Sequence, residues 1–371
     1  MKKILSLLFL TIFLCGCTPK NNSTVVQFAS WGSKSEIEIL KPIISDFEKE
    51  NPDIKVDFMH IPQNYFQKIH LLFASNTAPD VIFINNLYLP VYANAGVLEE
   101  LNTDQEFYPQ AIQALSWHGK LYAIPRDVSN LVIFYNKDMF KRKKIPFPNK
   151  NWTFEDFLKT AQNLTDNNTF GISFEEDPYF YLPYLMSNGG GILPDEIQKP
   201  ESQNSLKFYA DLRNKYHVAP QKSESASATM AQMFLQERIG MYLSGRWMVP
   251  KFREECTFDW DIIQFPNGTK GSIVQLDASG WAISKSSSHK EEAQKLIAYL
   301  SSKSSSEKFV KSGLIIPARK DVNAIDNQKP NNTKAFIEVI ETSKPTPVTK
   351  DYREITDKLK QNTESLFNPI N

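Results

Sequence analysis

A two-lobed α/β protein is what this sequence predicts, on three observations. Short strand-like apolar runs alternate with helical periodicity from residue 24 onward. The chain has 371 residues, more than the ~250–300 at which single hydrophobic cores stop growing. Its composition, 41% hydrophobic and 23% charged, is that of an ordinary folded protein. The 42 basic and 42 acidic side chains balance, so there is no basic footprint for a nucleic-acid backbone or an anionic membrane.

The elements follow in order. Thr24–Ala29 (TVVQFA) is rich in β-branched and aromatic residues and reads as a buried strand. Ile37, Leu40, Ile43, Ile44 and Phe47 recur at helical spacing within Ser35–Glu50, with Pro42 as a kink or restart. Ile54–Met59 is strand-like, Tyr65–Ala74 helical, and Val81–Ile84 a short apolar run. This β-α-β-α-β order implies a parallel sheet flanked by helices. Further on, Leu131–Tyr135, Arg238–Leu243 and Phe258–Gln264 read as strands. Helices are read at Trp152–Leu164 with Thr153 as N-cap, Ser205–Tyr216, Ala228–Gln236, Lys290–Leu300, Ser304–Lys311 and Tyr352–Leu366.

At the N-terminus Lys2 and Lys3 precede an apolar run, Ile4–Leu14, and then Cys15-Gly16-Cys17. A charged start and an apolar stretch of ~7–15 residues form an export leader, too short to span a bilayer. Leu14-x-Gly16-Cys17 resembles the bacterial lipobox, which implies a leader of residues 1–16, lipid on Cys17 and a tether over residues 17–24. No later segment approaches the ~18 continuous apolar residues of a transmembrane helix. Cys256 then stands alone, and His60, His70, His118, His217 and His289 lack metal-ligand spacing. We expect no disulfide framework, no metal and no cofactor. The run Lys141–Lys144 reads as a solvated face, Trp260 as core, and Gly189-Gly190-Gly191 lacks the Lys-Ser/Thr of a phosphate loop.

Several stretches carry a resemblance: Phe47-Glu48-Lys49-Glu50-Asn51-Pro52-Asp53-Ile54, Ala78-Pro79-Asp80-Val81-Ile82, Gly119-Lys120-Leu121-Tyr122-Ala123-Ile124-Pro125, Tyr135-Asn136-Lys137-Asp138, Asn188-Gly189-Gly190, Gly245-Arg246-Trp247 and Gly280-Trp281-Ala282-Ile283-Ser284. In this order and spacing the chain resembles the family 1 extracellular solute-binding proteins, of maltose-binding-protein-like type, which are lipid-anchored receptors of ABC importers. The resemblance implies a two-lobed periplasmic-binding-protein (Venus-flytrap) fold, class II-like, with hinge crossovers near Asp127, Ser272–Gln275 and Leu314–Pro317. It assigns residues 25–127 and 276–316 to an N-terminal lobe, and 128–275 and 317–371 to a C-terminal lobe. It further implies a monomeric sugar receptor, exported and anchored at the outer face of the membrane or in the periplasm. Its partners would be a membrane permease and a separate ATPase. Most of the motifs read as scaffold.

Ligands of open α/β sheets lie beyond the carboxyl ends of strands, which selects Trp31 and Glu36 after the first strand and Asn85 and Asn86 after the third. The resemblance adds Asp127, Asp177, Tyr179, Trp247, Asp277 and Trp281. Pyranose rings pack their C–H faces on indole and phenol rings, and their hydroxyls bond to carboxylates and amides. A rival reading keeps the fold and takes a polyol phosphate such as glycerol 3-phosphate, held by Arg126, Arg246 or Arg319. A second rival is an anchored glycosidase using Asp127 and Asp177 as its carboxylate pair.

Overall fold

The computed structural model describes residues 23–325 and 328–369. The leader, Cys17 and the tether up to residue 22 lie outside the described residues. In chain order the strands are β1 (Thr24–Ser30), β2 (Ile54–His60), β3 (Val81–Asn85), β4 (Ser116–Trp117), β5 (Lys120–Leu121), β6 (Ile124–Asn130), β7 (Val132–Asn136), β8 (Phe170–Ile172), β9 (Ile239–Ser244), β10 (Trp260–Ile263), β11 (Gln275–Ile283), β12 (Ile316–Pro317) and β13 (Lys344–Pro345). Among the described residues they form a seven-stranded sheet ordered β12-β6-β11-β3-β1-β2 with β13 beside β11, and a four-stranded sheet ordered β10-β7-β9-β8. The β4–β5 hairpin stands apart.

The parallel pairing read from the sequence applies to β1, β2 and β3. The larger sheet is nevertheless mixed, because β11 inserts antiparallel to both β3 and β6. It enters from the smaller sheet rather than through a βαβ crossover, so the right-handed parallel rule does not govern it. Only Leu131 separates β6 in the larger sheet from β7 in the smaller. Lys34–Glu50 is one helix that passes through Pro42 without restarting; Ser33 caps it by accepting from the Glu36 amide. It buries Ile37, Leu40, Ile43, Ile44 and Phe47, the stripe expected from their spacing. Thr153 caps the helix Phe154–Leu164 in a reciprocal capping box with Asp156.

Gly280 lies where the β6–β11 register slips, between Ser279 and Gly280. A Cβ there would stand 2.2 Å from the Ile124 carbonyl oxygen and 3.0 Å from Leu115 Cδ1. Since the obstacle is backbone in a central strand, relief needs the strands to part. Gly280→Ala is expected to cost about 1–3 kcal/mol, read as a lowered urea midpoint; an unchanged midpoint would show that the sheet absorbs the methyl group.

Candidate functional site

A groove of about 1290 Å³ runs between the two halves of the molecule. One wall is built by helix Tyr65–Ala74, through Phe66 and His70, and by Leu87, Tyr88 and Val91, which follow β3. The opposite wall comprises Asp177 and Tyr179, at the start of helix Pro178–Met186, and one face of helix Tyr352–Phe367 through Tyr352, Arg353, Thr356 and Lys360. Phe66 and Tyr88 stack with centroids 3.6 Å apart and planes 9° apart, giving one wall a preformed aromatic surface. Across from it, Tyr179 stands 6.3 Å from Trp247, whose side chain belongs to one of the more exposed large residues, at 37%. Space demands the glycine before this indole: a Cβ on Gly245 would lie 1.9 Å from the Trp247 ring.

The expected site residues divide into two groups. Asp177 and Tyr179 line the groove, and Trp247 adjoins Tyr179. Asp177 also caps its helix by accepting from the Tyr179 amide at 2.9 Å, and pairs with Lys360 at 2.7 Å. Trp31 is half-buried behind the wall, packed on Tyr65, Phe66 and Phe83, and so supports Phe66. Asn85 accepts from the Tyr88 amide at 3.2 Å and so fixes the turn that presents Tyr88. The remaining five are inside the structure. Trp281, expected in the cleft, is fully buried between Phe28 and Phe83 in a strand covered on both faces. Glu36 accepts from Arg126 Nη1 at 2.5 Å, and Asp127 from Arg126 Nε at 2.6 Å. Asn86 is 1% exposed; it donates to Asp277 at 2.9 Å and accepts from the Ala278 amide at 3.1 Å. Asp277 also accepts from Thr346 Oγ1 at 2.6 Å.

Arg126 holds the first of these inner clusters together. Its guanidinium lies 4.1 Å from the Phe83 ring centroid and 5.1 Å from that of Phe309. Burial works against its charge, but Asp127 and Glu36 outweigh that and raise its pKa. Burial likewise raises the Asp127 carboxyl, opposed by Arg126. Arg246, 2% exposed, donates to the carbonyls of Gly313 and Ala324. Arg319 forks onto Asp321 and also binds Gln105 and the Ser301 carbonyl. The three arginines that the polyol-phosphate reading needed are therefore engaged internally, and none lines the groove.

Residues 32–307 match the family described as bacterial extracellular solute-binding protein. The chain belongs to this family. Among its relatives, the galactooligosaccharide-binding protein of Bacillus subtilis (strain 168) is 24% identical over 372 residues, covering 93% of this chain and 87% of the relative. An ABC substrate-binding protein of Listeria monocytogenes, solved in complex with cycloalternan, superposes with a TM-score of 0.85 at 27% identity, covering 93% of this chain and 94% of the other. The GacH receptor of Streptomyces glaucescens, at 18% identity and a TM-score of 0.81 with 93% of each chain covered, shares the fold. The matches are to binding proteins, and this solute-binding protein is not an enzyme. The two carboxylates of the glycosidase reading are moreover held by different cations, Arg126 and Lys360. No helix among the described residues is long and apolar enough to cross a membrane.

Sequence reasoning did not select Phe66, Tyr88 or Tyr352 for the groove. Phe66 and Tyr88 sit in stretches whose apolar neighbours make them read as core, and Tyr352 opens an amphipathic helix among charged residues. The available signal was Tyr88 itself, two residues beyond the asparagines that close β3.

Beside Asp177, a second cavity of about 550 Å³ is lined by Phe174, Glu175, Glu176 and Arg213, and by the segment from Ser225 to Met230. Burial pushes the Glu175 carboxyl up to about 7, with Asp177 adding to the rise and Arg213 opposing it. An acid whose pKa is higher folded than unfolded binds protons more tightly in the native state. Stability is therefore lost as pH rises through the window from the ordinary 4.5 to about 7. Glu175→Gln should remove that slope, leaving the variant about 3 kcal/mol more stable than wild type at pH 8 and close to it near pH 4. Urea melts at both pH values test this, and parallel pH profiles for the two proteins would contradict it.

Proposed function

We propose that this solute-binding protein captures an uncharged oligosaccharide between its two lobes and delivers it to the permease of an ABC importer. The observation that carries this reading is a groove that is aromatic on both sides and whose cations are neutralised. Phe66, Tyr88, Tyr179 and Tyr352 line it, with Trp247 adjoining. Its basic side chains each have an acidic partner: Lys350 with Asp351, Arg353 with Asp357, Lys358 with Glu354 and Lys360 with Asp177. Such a surface offers C–H platforms and hydroxyl partners, but no spare cation for a phosphate. The galactooligosaccharide-binding relative and the cycloalternan complex of the Listeria protein support the same ligand class.

The lobes in this proposal are residues 25–127 with 276–316, and 128–275 with 317–371. The distribution of strands supports them, since β1–β3, β11 and β12 share the larger sheet and β7–β10 the smaller. β6 runs across the first boundary to Asn130, and β13 from the tail returns to pair with β11. Tighter binding by the closed form is what drives hinge closure. The lipobox reading puts the anchor on Cys17 and the protein at the outer face of the membrane, with ATP hydrolysed by a partner.

Calorimetric titration with maltotriose, a galactooligosaccharide, cycloalternan and glycerol 3-phosphate tests the reading. We expect one of the oligosaccharides to bind with little dependence on salt, and Trp247→Ala to weaken it roughly ten-fold or more, on the order of 1.4 kcal/mol. Binding of glycerol 3-phosphate alone, weakening steeply with salt, would replace the proposal with the anionic one.

A further inference from the structure

Charge in the groove is arranged unevenly. Three of its cations are answered locally. Lys350 pairs with the next residue, Asp351, while Arg353 and Lys358 pair with Asp357 and Glu354, one turn away on helix Tyr352–Phe367. Lys360 differs, because its partner comes from another element. It pairs at 2.7 Å with one oxygen of Asp177, the residue that precedes helix Pro178–Met186. The other oxygen accepts from the Tyr179 amide at 2.9 Å, so the carboxylate is fixed in place by its own helix. With side chains 44% and 47% exposed, this is the least exposed of the four pairs. The neighbouring acids face elsewhere. Glu175 and Glu176 line the adjoining cavity, where Glu176 accepts from Arg213 at 2.9 Å. Glu364, one turn beyond Lys360, lies 3.7 Å from Lys222.

Two sources of positive potential thus converge on this wall, the Lys360 ammonium and the amino-terminal end of helix Pro178–Met186. One carboxylate answers both. We propose that Asp177 is the specificity-determining residue that makes the groove refuse anions. As the counter-ion of Lys360 it restricts capture to uncharged sugars and excludes their phosphorylated and uronic-acid forms. A phosphate or carboxylate approaching Lys360 meets the Asp177 charge at nearly the same distance, so attraction and repulsion largely cancel. Pushing Asp177 aside would in addition uncap its helix. An uncharged hydroxyl meets no such opposition. It can donate to the remaining lone pairs of the carboxylate or accept from the remaining N–H bonds of the ammonium. Discrimination built this way works by a repulsive element rather than by an added attraction. A pair this exposed adds little to stability; what it changes is the field that a ligand enters.

The sugar named here rests on the proposed function, whereas the exclusion of anions does not, and the experiment separates the two. Asp177→Asn removes the charge and keeps an oxygen for the Tyr179 amide, asparagine being as good a helix cap as aspartate. Calorimetry with glycerol 3-phosphate should then show binding roughly ten-fold or more tighter than to wild type, and weakening with salt. Asp177→Ser, which also supplies a capping oxygen, should show the same gain and replaces Asp177→Asn if that variant does not fold. Adding Lys360→Met to either variant should abolish the gain. No gain in the folded variants, or a gain that survives Lys360→Met, would overturn the proposal whatever sugar the protein binds. If wild type binds no oligosaccharide and Asp177→Asn still gains the anion, the sugar reading fails and the exclusion stands.

Discussion

The antiparallel pairing of β6 with β11 is the constraint on which the rest of the molecule depends. These two strands sit side by side in the larger sheet, yet each is adjacent in sequence to the smaller one. Their register sets Asp277 against Ser129 and Ala278 against Val128. That alignment fixes where the second half of the chain begins and how it faces the first. The register slip at Gly280, where backbone approaches backbone too closely for any side chain, anchors the alignment at its far end. A strand pair under such two-sided restriction cannot slide, since a one-residue slip would turn every inward side chain outward.

Charge inside this frame is used for assembly. Glu36, Asp127 and Arg126 form a buried cluster beneath Phe83 and Phe309, drawing helix Lys34–Glu50, β3 and β6 together. Asp277 collects Asn86 and Thr346 in the same way. A buried ion pair is not by itself a large gain in stability, because desolvation offsets much of the attraction. What such clusters supply is geometry: a carboxylate with several donors tolerates one arrangement of the elements that carry them. The groove itself is left to aromatic surface and to ion pairs already satisfied.

Much of the fold was legible because its helices and outer strands bury one clear stripe or run each. Tyr65–Ala74 and Lys290–Leu300 have the same limits in sequence and structure. β6 and β11 do not read as strands in the sequence, since Pro125, Asp127, Asp277 and Gly280 interrupt the apolar pattern. Helix Pro178–Met186 was hidden by Pro178 and Pro183 and by aromatic residues on all sides. For the site, the expected exposure agrees with the structure at Trp247, whose side chain stands in the open. The same expectation misled at Trp281, whose neighbouring glycine serves strand packing and whose indole fills the core. Acidic residues near strand ends looked like hydroxyl acceptors because sequence does not show that Arg126 lies between two of them.

The bare Cα of Gly245 has a thermodynamic consequence. An indole lying against the backbone is confined from the moment the chain folds, so a guest that lands on it need not freeze a swinging ring. Immobilising a rotamer-rich side chain at an interface costs roughly 0.5–1.5 kcal/mol, and a glycine in this one place spares the encounter that loss of freedom.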